Sequence, residues 1–306
     1  LAFQLKILGA NSATPAYGRH QSSQLLNLEN HFMLIDCGEG AQMQLLKYKA
    51  KVSRINHIFI SHLHGDHVFG LIGLLNTLNL TGRTEDLYIY GPYQLSEMVT
   101  VQMRATHANL KFKIHFSVTD HLQSQVLYEN PLFTVHSLPL DHGIACSGFL
   151  FREKEKPRRI DKEKLKPDIS VADILDLKEG KNLYDADGSL RYANEALTLP
   201  PKKSRSYAYC SDTRYQEKLI EYIEGVDLLY HEATFMHDEA KKANERYHST
   251  TIEAATIAKK ANVTHLIIGH YSSRYKTLKP LLEEAKMVFP NTSLALEGED
   301  YFIDDK

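Results

Sequence analysis

Within six residues, His62-Leu63-His64-Gly65-Asp66-His67 gathers three imidazoles and a carboxylate, directly after the short apolar run His57–Ile60. Imidazole nitrogens suit zinc and similar divalent ions, and a carboxylate can complete their coordination shell. Gly65 lets the turn close tightly, so that nearby side chains point to neighbouring positions. Burying four such groups together without a metal would be costly, because each loses its hydration with nothing in exchange. One turn supplies at most four ligands, so two bound ions would each need more from elsewhere. Three residues at the ends of predicted strands offer them: His142 in Pro139-Leu140-Asp141-His142-Gly143, Asp212 in Tyr209-Cys210-Ser211-Asp212-Thr213, and His270 in Ile268-Gly269-His270-Tyr271. Strand ends along one edge of an α/β sheet are where such folds build sites. Spacing alone leaves each an ordinary alternative, a cap or turn for Asp212 and an exposed side chain for His142.

The elements that must position these groups read as α/β. Residues 2–9 alternate apolar and polar and predict a strand, and Leu25–Leu28 with Phe32–Ile35 predict a hairpin. Further strands are expected at His57–Ile60, Leu87–Tyr90, Ile114–Val118, Leu132–Leu138, Gly148–Phe151, Tyr207–Tyr209, Leu228–Tyr230 and Leu266–Ile268. Helical patterns are expected over Gly38–Lys49, Val68–Leu78, Val99–Met103, Gln216–Ile223, Ile252–Ala261 and Leu278–Met287. Strand–helix alternation in both halves argues for sheets covered by helices. Arg152–Arg205 lacks a clean period. Its first part, Arg152–Lys166, holds eight basic and four acidic residues, and Pro167–Leu199 holds three basic and seven acidic. A segment of that length reads as an inserted arm.

With 306 residues, 43% hydrophobic and 24% charged, the chain has the balance of a globular protein of one large or two ordinary domains. The longest uncharged run, Val68–Gly82, is too short for a spanning helix, which needs about 20 residues. The amino end has no signal-peptide pattern, and three widely spaced cysteines form neither a disulfide framework nor a CxxC site, so a reducing cytoplasm is expected. A net charge of −2 means that any nucleic-acid binding must come from a local basic patch.

The motifs together resemble the metallo-β-lactamase superfamily and, within it, the ribonuclease Z family of transfer-RNA 3′-processing endonucleases. The resemblance spans nearly the whole chain. It runs through Leu34-Ile35-Asp36-Cys37-Gly38-Glu39-Gly40-Ala41-Gln42, Ser61–His67, Asp141-His142-Gly143 and Ser211-Asp212-Thr213. It continues in His231-Glu232-Ala233-Thr234-Phe235, His248-Ser249-Thr250 and Gly269-His270-Tyr271-Ser272-Ser273-Arg274-Tyr275. The Ser61–His67 motif is superfamily-wide; the His231–Phe235 and His248–Thr250 segments with the inserted arm narrow it to the nuclease.

The resemblance implies a four-layer αββα sandwich, one domain over 1–306 with 152–205 as an inserted substrate-binding arm. It implies two Zn2+ per subunit, or Mn2+ or another divalent ion in their place. One is held by His62, His64 and His142, the other by Asp66, His67 and His270, with Asp212 bridging. Two metals about 3.5–4 Å apart can clamp the attacking and leaving oxygens of a phosphodiester and supply hydroxide near neutral pH. On this reading Asp66 also orients or deprotonates the water, and His248, oriented by Glu232, protonates the leaving ribose oxygen, leaving a 3′-hydroxyl on the tRNA. The alternative for His248 and Glu232 is a helix cap and an exposed charge ahead of a Ser249–Lys260 helix. Arg19, Arg274, Arg158 and Arg159 are the expected substrate contacts, precursor tRNA the substrate, a homodimer the assembly, and no membrane is involved. Asp36 is expected to hydrogen-bond a ligand or the backbone rather than a metal, and Cys210 to be buried packing.

Two features depart from the family. The loop Pro15-Ala16-Tyr17-Gly18-Arg19-His20 keeps the proline and arginine of a Pro-x-Lys-x-Arg-Asn pattern but not its lysine and asparagine. The arm has Pro157 and Pro167 but no glycine before Gly180, where the family has a Gly-Pro-rich tip. These keep a second reading in view, a dinuclear phosphodiesterase or thioesterase for small molecules. A binding module without catalysis would be expected to lack ligands, and all seven are present.

Overall fold

The computed structural model describes residues 3–304, so Leu1 and Ala2 lie outside the described residues and the expected first strand begins at Phe3. In chain order the strands are β1 (Phe3–Gly9), β2 (Ser23–Leu28), β3 (His31–Cys37), β4 (Ile55–Phe59), β5 (Leu87–Gly91), β6 (Ile114–Val118), β7 (Val126–Glu129), β8 (Phe133–Pro139) and β9 (Ser147–Glu153). After these come four short ones, β10 (Arg159–Ile160), β11 (Leu183–Tyr184), β12 (Leu190–Tyr192) and β13 (Thr198–Leu199). The chain then returns to β14 (Ser206–Cys210), β15 (Leu228–Glu232), β16 (His265–Gly269), β17 (Thr292–Leu294) and β18 (Asp300–Phe302). Two compact units result, one of the residues up to Phe151 with Ser206–Ile303, the other Arg152–Arg205.

The larger unit contains two seven-stranded sheets, ordered β18-β1-β2-β3-β4-β5-β6 and β17-β16-β15-β14-β9-β8-β7. Period-two side-chain alternation explains their layering. Phe3, Leu5, Ile7, Leu26, Met33, Ile35 and Phe59 of the first sheet share one core with Phe133, Phe149, Phe151, Tyr207 and Tyr209 of the second. The intervening residues Leu8, Leu25, Leu34 and Ile58 face the other way, onto Leu45, Leu71, Leu74, Leu75 and Val99 from helices. Ala254, Ala258 and Leu281, from helices Thr251–Lys260 and Lys279–Val288, pack against the second sheet. The order is helix, sheet, sheet, helix, and the fold class is α/β as expected.

Several boundaries differ from the sequence expectation. The helix expected over Val68–Leu78 is two, Gly65–Val68 and Leu71–Leu80, so part of the histidine motif is itself helical. Gln216–Ile223 shortens to Leu219–Ile223, and Val99–Met103 extends to Leu95–Ala105. The pattern of β7, β17 and β18 was too short or too exposed to signal a strand. The Arg152–Arg205 unit has a small core of its own, Leu177, Leu183 and Leu197. Its helix Val171–Lys178 starts on a capping box, Ser170 with Asp173, a signal present in the sequence.

Candidate metal centre and its cleft

Parallel strands with neighbouring carboxyl ends deliver most of the site. In the second sheet β14, β15 and β16 run parallel, with Cys210 opposite His231 and Glu232 opposite Gly269. Asp212, Glu232 and His270 therefore emerge side by side. In the first sheet β4 runs parallel to β3 and releases the chain into Ser61–His67. The turn approaches β3 so closely that a Cβ on Gly38 would lie 2.3 Å from the Asp66 carbonyl oxygen, which only glycine avoids. His142 arrives from the end of β8.

The structure brings all seven expected ligands together in two sets. His62, His64, His142 and Asp212 form one, and Asp66, His67 and His270 the other, with ligand atoms in each set within 4.8 Å of one another. In the first, His64 Nδ1 lies 3.1 Å from His62 Nε2 and 3.2 Å from His142 Nε2. In the second, His67 Nε2 and His270 Nε2 are 3.2 Å apart, and Asp66 Oδ2 is 3.5 and 3.4 Å from them. Asp212 faces both. Its Oδ2 is 3.6 Å from His62 Nε2 and 3.9 Å from His142 Nε2, while Oδ1 is 3.4 Å from His67 Nε2 and 3.2 Å from His270 Nε2.

Hydrogen bonds behind the rings set which nitrogens hold lone pairs. His142 Nδ1 donates to the Tyr247 carbonyl (3.0 Å), which can only accept, so Nε2 is unprotonated in the neutral ring. His67 Nδ1 donates to Asp36 Oδ2 (2.7 Å), which also accepts from Tyr209 (2.6 Å) and the Ser61 hydroxyl (2.9 Å). Thr234 Oγ1 donates to Glu232 Oε2 (2.7 Å) and so accepts from His270 Nδ1 (2.8 Å). Lone pairs of the neutral rings thus point inward around Asp212 Oδ1, a buried oxygen without a hydrogen-bonding partner among the described residues. Imidazole nitrogens and carboxylate oxygens converging in this way fit divalent cations of the zinc type. Burial alone would lower the His67 pKa, but Asp212, Asp66 and Asp36 outweigh it and raise it well above the ordinary value. The carboxylates demand positive charge here, which a cation supplies. Burial lowers His62, helped by His67, and keeps it neutral.

Four non-glycine residues at the site have left-handed backbone: Ala13, Asp36, Tyr247 and His270, with φ of 52°, 54°, 59° and 60°. Such conformations cost about 1–3 kcal/mol each and persist where the surroundings impose them. Each has a task here. The Ala13 amide donates to Asp66 Oδ2 (2.7 Å), Asp36 and the Tyr247 carbonyl hold ligand nitrogens, and His270 is a candidate ligand.

Beside Asp212 stands the expected pair. His248 Nδ1 donates to Glu232 Oε1 (2.9 Å), and Glu232 is wholly buried, also accepting from the Thr213 and Thr234 amides (3.0 Å each). Burial would lower the His248 pKa, yet Glu232 and then Asp212 raise it to about 9. Glu232 is therefore no exposed charge, and the cap of the following helix is Thr250 rather than His248. An open cleft of ≈ 650 Å³ lies over these groups, bordered by Ser12–Pro15, Glu39, Phe69, Phe235, Arg246 and Ser272–Ser273.

The expected substrate arginines are placed differently. Arg19 donates to Asn11 Oδ1 (3.0 Å) and the Tyr275 carbonyl (2.6 Å), and so ties the Pro15–His20 loop to the segment after His270. Arg274 pairs with Glu239 and lies over the Phe235 ring. In the other unit Arg158 Nε donates to Thr198 Oγ1 (2.8 Å) and Arg159 Nε to the Pro200 carbonyl (3.0 Å). Thr234, Tyr247, Tyr209 and Arg246 were not among the expected site residues. Thr234 lies inside the His231–Phe235 segment and Tyr209 in the segment that carries Asp212, whereas Tyr247 and Arg246 carried no signal.

Residues 3–146 match a family model described as Anti-Pycsar protein Apyc1, a stretch that includes His62 to His142 but ends before Asp212, His248 and His270. Over the full length the chain is 46% identical to a protein named ribonuclease Z from Cytophaga hutchinsonii, across 304 residues that cover 99% of this chain and 97% of the relative. The chain belongs to the ribonuclease Z family. A Bacteroides fragilis ribonuclease Z is also 46% identical, over 97% of both chains. Among solved structures the chain is similar to the short form of human tRNase Z, ELAC1, with 26% identity, a TM-score of 0.71 and 99% of both chains covered. Ribonuclease Z membership accounts for a phosphodiester-cleaving hydrolase, and the His/Asp cluster for a divalent metal requirement.

Proposed function

We propose that this chain is the endoribonuclease that removes the 3′ trailer of precursor tRNA, using two zinc ions per subunit. The observation that carries the reading is the buried Glu232 paired with His248 on the cleft beside Asp212, in a chain that matches a ribonuclease Z over 97% of that relative's length. His62, His64 and His142 would hold one ion and Asp66, His67 and His270 the other, with Asp212 within reach of both sets. Ions so held supply Lewis acidity toward a phosphodiester and ease the ionisation of water.

The chain's own residues supply the rest. Asp66, steadied by the Ala13 amide, orients the attacking water and accepts its proton. The water oxygen bonds to phosphorus, and the bond from phosphorus to the ribose 3′ oxygen breaks. His248, with Nδ1 committed to Glu232, gives the Nε2 proton to that leaving oxygen. The tRNA keeps a 3′-hydroxyl and the trailer a 5′-phosphate.

Arg158 and Arg159, in the basic part of the arm, contact tRNA phosphates through the guanidinium nitrogens they do not spend on Thr198 and Pro200. Exposed Met43, Leu46, Phe69 and Leu80, on or beside the helices flanking the histidine motif, favour a homodimer. No helix of the described residues is long and apolar enough to cross a membrane. Three buried, unpaired cysteines accord with a cytoplasmic location.

The test incubates zinc-loaded protein with end-labelled, 3′-extended precursor tRNA and maps both product ends. One cut near the discriminator base, lost on chelation and leaving a 3′-hydroxyl, is the expected result. Hydrolysis of a small diester with no cut in the tRNA would overturn the reading.

A further inference from the structure

A cleft that takes a polyanion would be expected to hold several free cations, and this one does not. Among the described residues lining it, Arg246 is the one arginine or lysine, and Glu39, Asp66 and Asp212 are there too. The other arginines nearby are engaged. Arg19 is spent on Asn11 and the Tyr275 carbonyl, Arg274 on Glu239, and Arg214 on Asp141 (3.1 Å) and the face of the Tyr247 ring (4.0 Å). Arg246 has neither an ion pair nor a side-chain hydrogen bond among the described residues. Its backbone is nonetheless held. The Arg246 amide bonds the Lys242 and Ala243 carbonyls at the end of helix Ala240–Glu245, and the next residue, Tyr247, is pinned at φ 59° with its carbonyl on His142. An unpaired guanidinium on a fixed backbone, two residues before His248, suits bidentate capture of a phosphate.

We infer that Arg246 is a substrate-positioning residue that binds the RNA phosphate next to the scissile one, on the side of the leaving ribose oxygen. The inference rests on the proposed nuclease reading, because His248 marks that side. A flanking phosphate is gripped equally before and during the reaction, so removing the grip raises KM with little change in kcat.

The experiment compares wild type, R246A and R246K on 3′-extended precursor tRNA across a salt series, with bis(p-nitrophenyl) phosphate as a diester that has no flanking phosphate. For R246A, KM for tRNA should rise about 10- to 100-fold, as expected for a charged hydrogen bond to phosphate. The log–log salt slope of kcat/KM should shrink by about 0.7–0.9, the share of one neutralised phosphate. R246K should keep that slope but recover KM only in part. Small-diester turnover and zinc content should be unchanged in both. An unchanged KM and slope for R246A, or equal losses on both substrates, would overturn the inference while leaving the nuclease reading intact. Failure of the wild type to cut tRNA would overturn the nuclease reading and the inference with it.

Discussion

At the residue scale, the decisive interactions are those that set protons. With the His248 pKa raised to about 9, its acid form prevails at neutral pH and is lost as pH rises through that value. With His248 as the proton donor, kcat falls on the alkaline side as that acid form is lost. E232Q keeps an oxygen acceptor but removes the charge that raises the pKa, so its alkaline limb moves to lower pH. H248A lowers kcat about 10²–10⁴-fold and abolishes that limb. A pH–rate profile of the three proteins decides, and an unmoved limb in E232Q would reject the assignment. Thr234 is tested through metal affinity. T234V removes the hydroxyl that orients His270 and weakens zinc binding about 10-fold or more, whereas T234S restores it. Competition with a chromophoric chelator measures this without recourse to activity.

At the scale of elements, β4 combines two demands. Its carboxyl end launches the histidine motif, and its body carries His57 into a nest of rings, stacked on Tyr88 and Tyr90 and tilted against Tyr128 at 4.3 Å. Burial, and then the neighbouring His31, lower the His57 pKa to about 4. The folded state therefore resists protonation that the unfolded chain accepts near pH 6.5. The contribution to stability is complete above pH 6.5 and is lost progressively as pH falls toward 4, by up to about 3 kcal/mol. H57F retains the ring packing and cannot be protonated. Its urea midpoint should fall less than that of wild type between pH 7.5 and 5, and equal falls would show that His57 is not the acid-sensitive group.

At the scale of the whole molecule, net charge is −2, yet the proposed substrate is a polyanion. Attraction must then be local, and the Arg152–Lys166 stretch concentrates it. Neutralising Arg158 and Arg159 to glutamine should weaken tRNA binding at low salt and reduce the salt slope by about 0.7–0.9 for each phosphate no longer neutralised, with small-diester hydrolysis intact. Filter binding at four or five salt concentrations tests this; an unchanged slope would make the two arginines part of the arm's structure alone.

Much of the fold and of the candidate site was legible in the order of residues. Period-two apolar runs defined most strands because alternation is what burial of one sheet face requires, and three imidazoles and a carboxylate in six residues were costly unless a metal was near. The seven candidate ligands, Glu232 and His248 were legible for that reason and through family motifs. Short exposed strands such as β7 and β18 were not, since they bury too little to leave a pattern. Tertiary structure alone decided which oxygen of Asp212 faces which set of histidines, and that a threonine hydroxyl and a tyrosine carbonyl choose their tautomers. It also decided that Arg19 and Arg274 are engaged while Arg246 has no side-chain partner among the described residues. A guanidinium's task depends on which carboxylates and carbonyls the fold carries to it, and those partners lie up to 256 residues away in the chain.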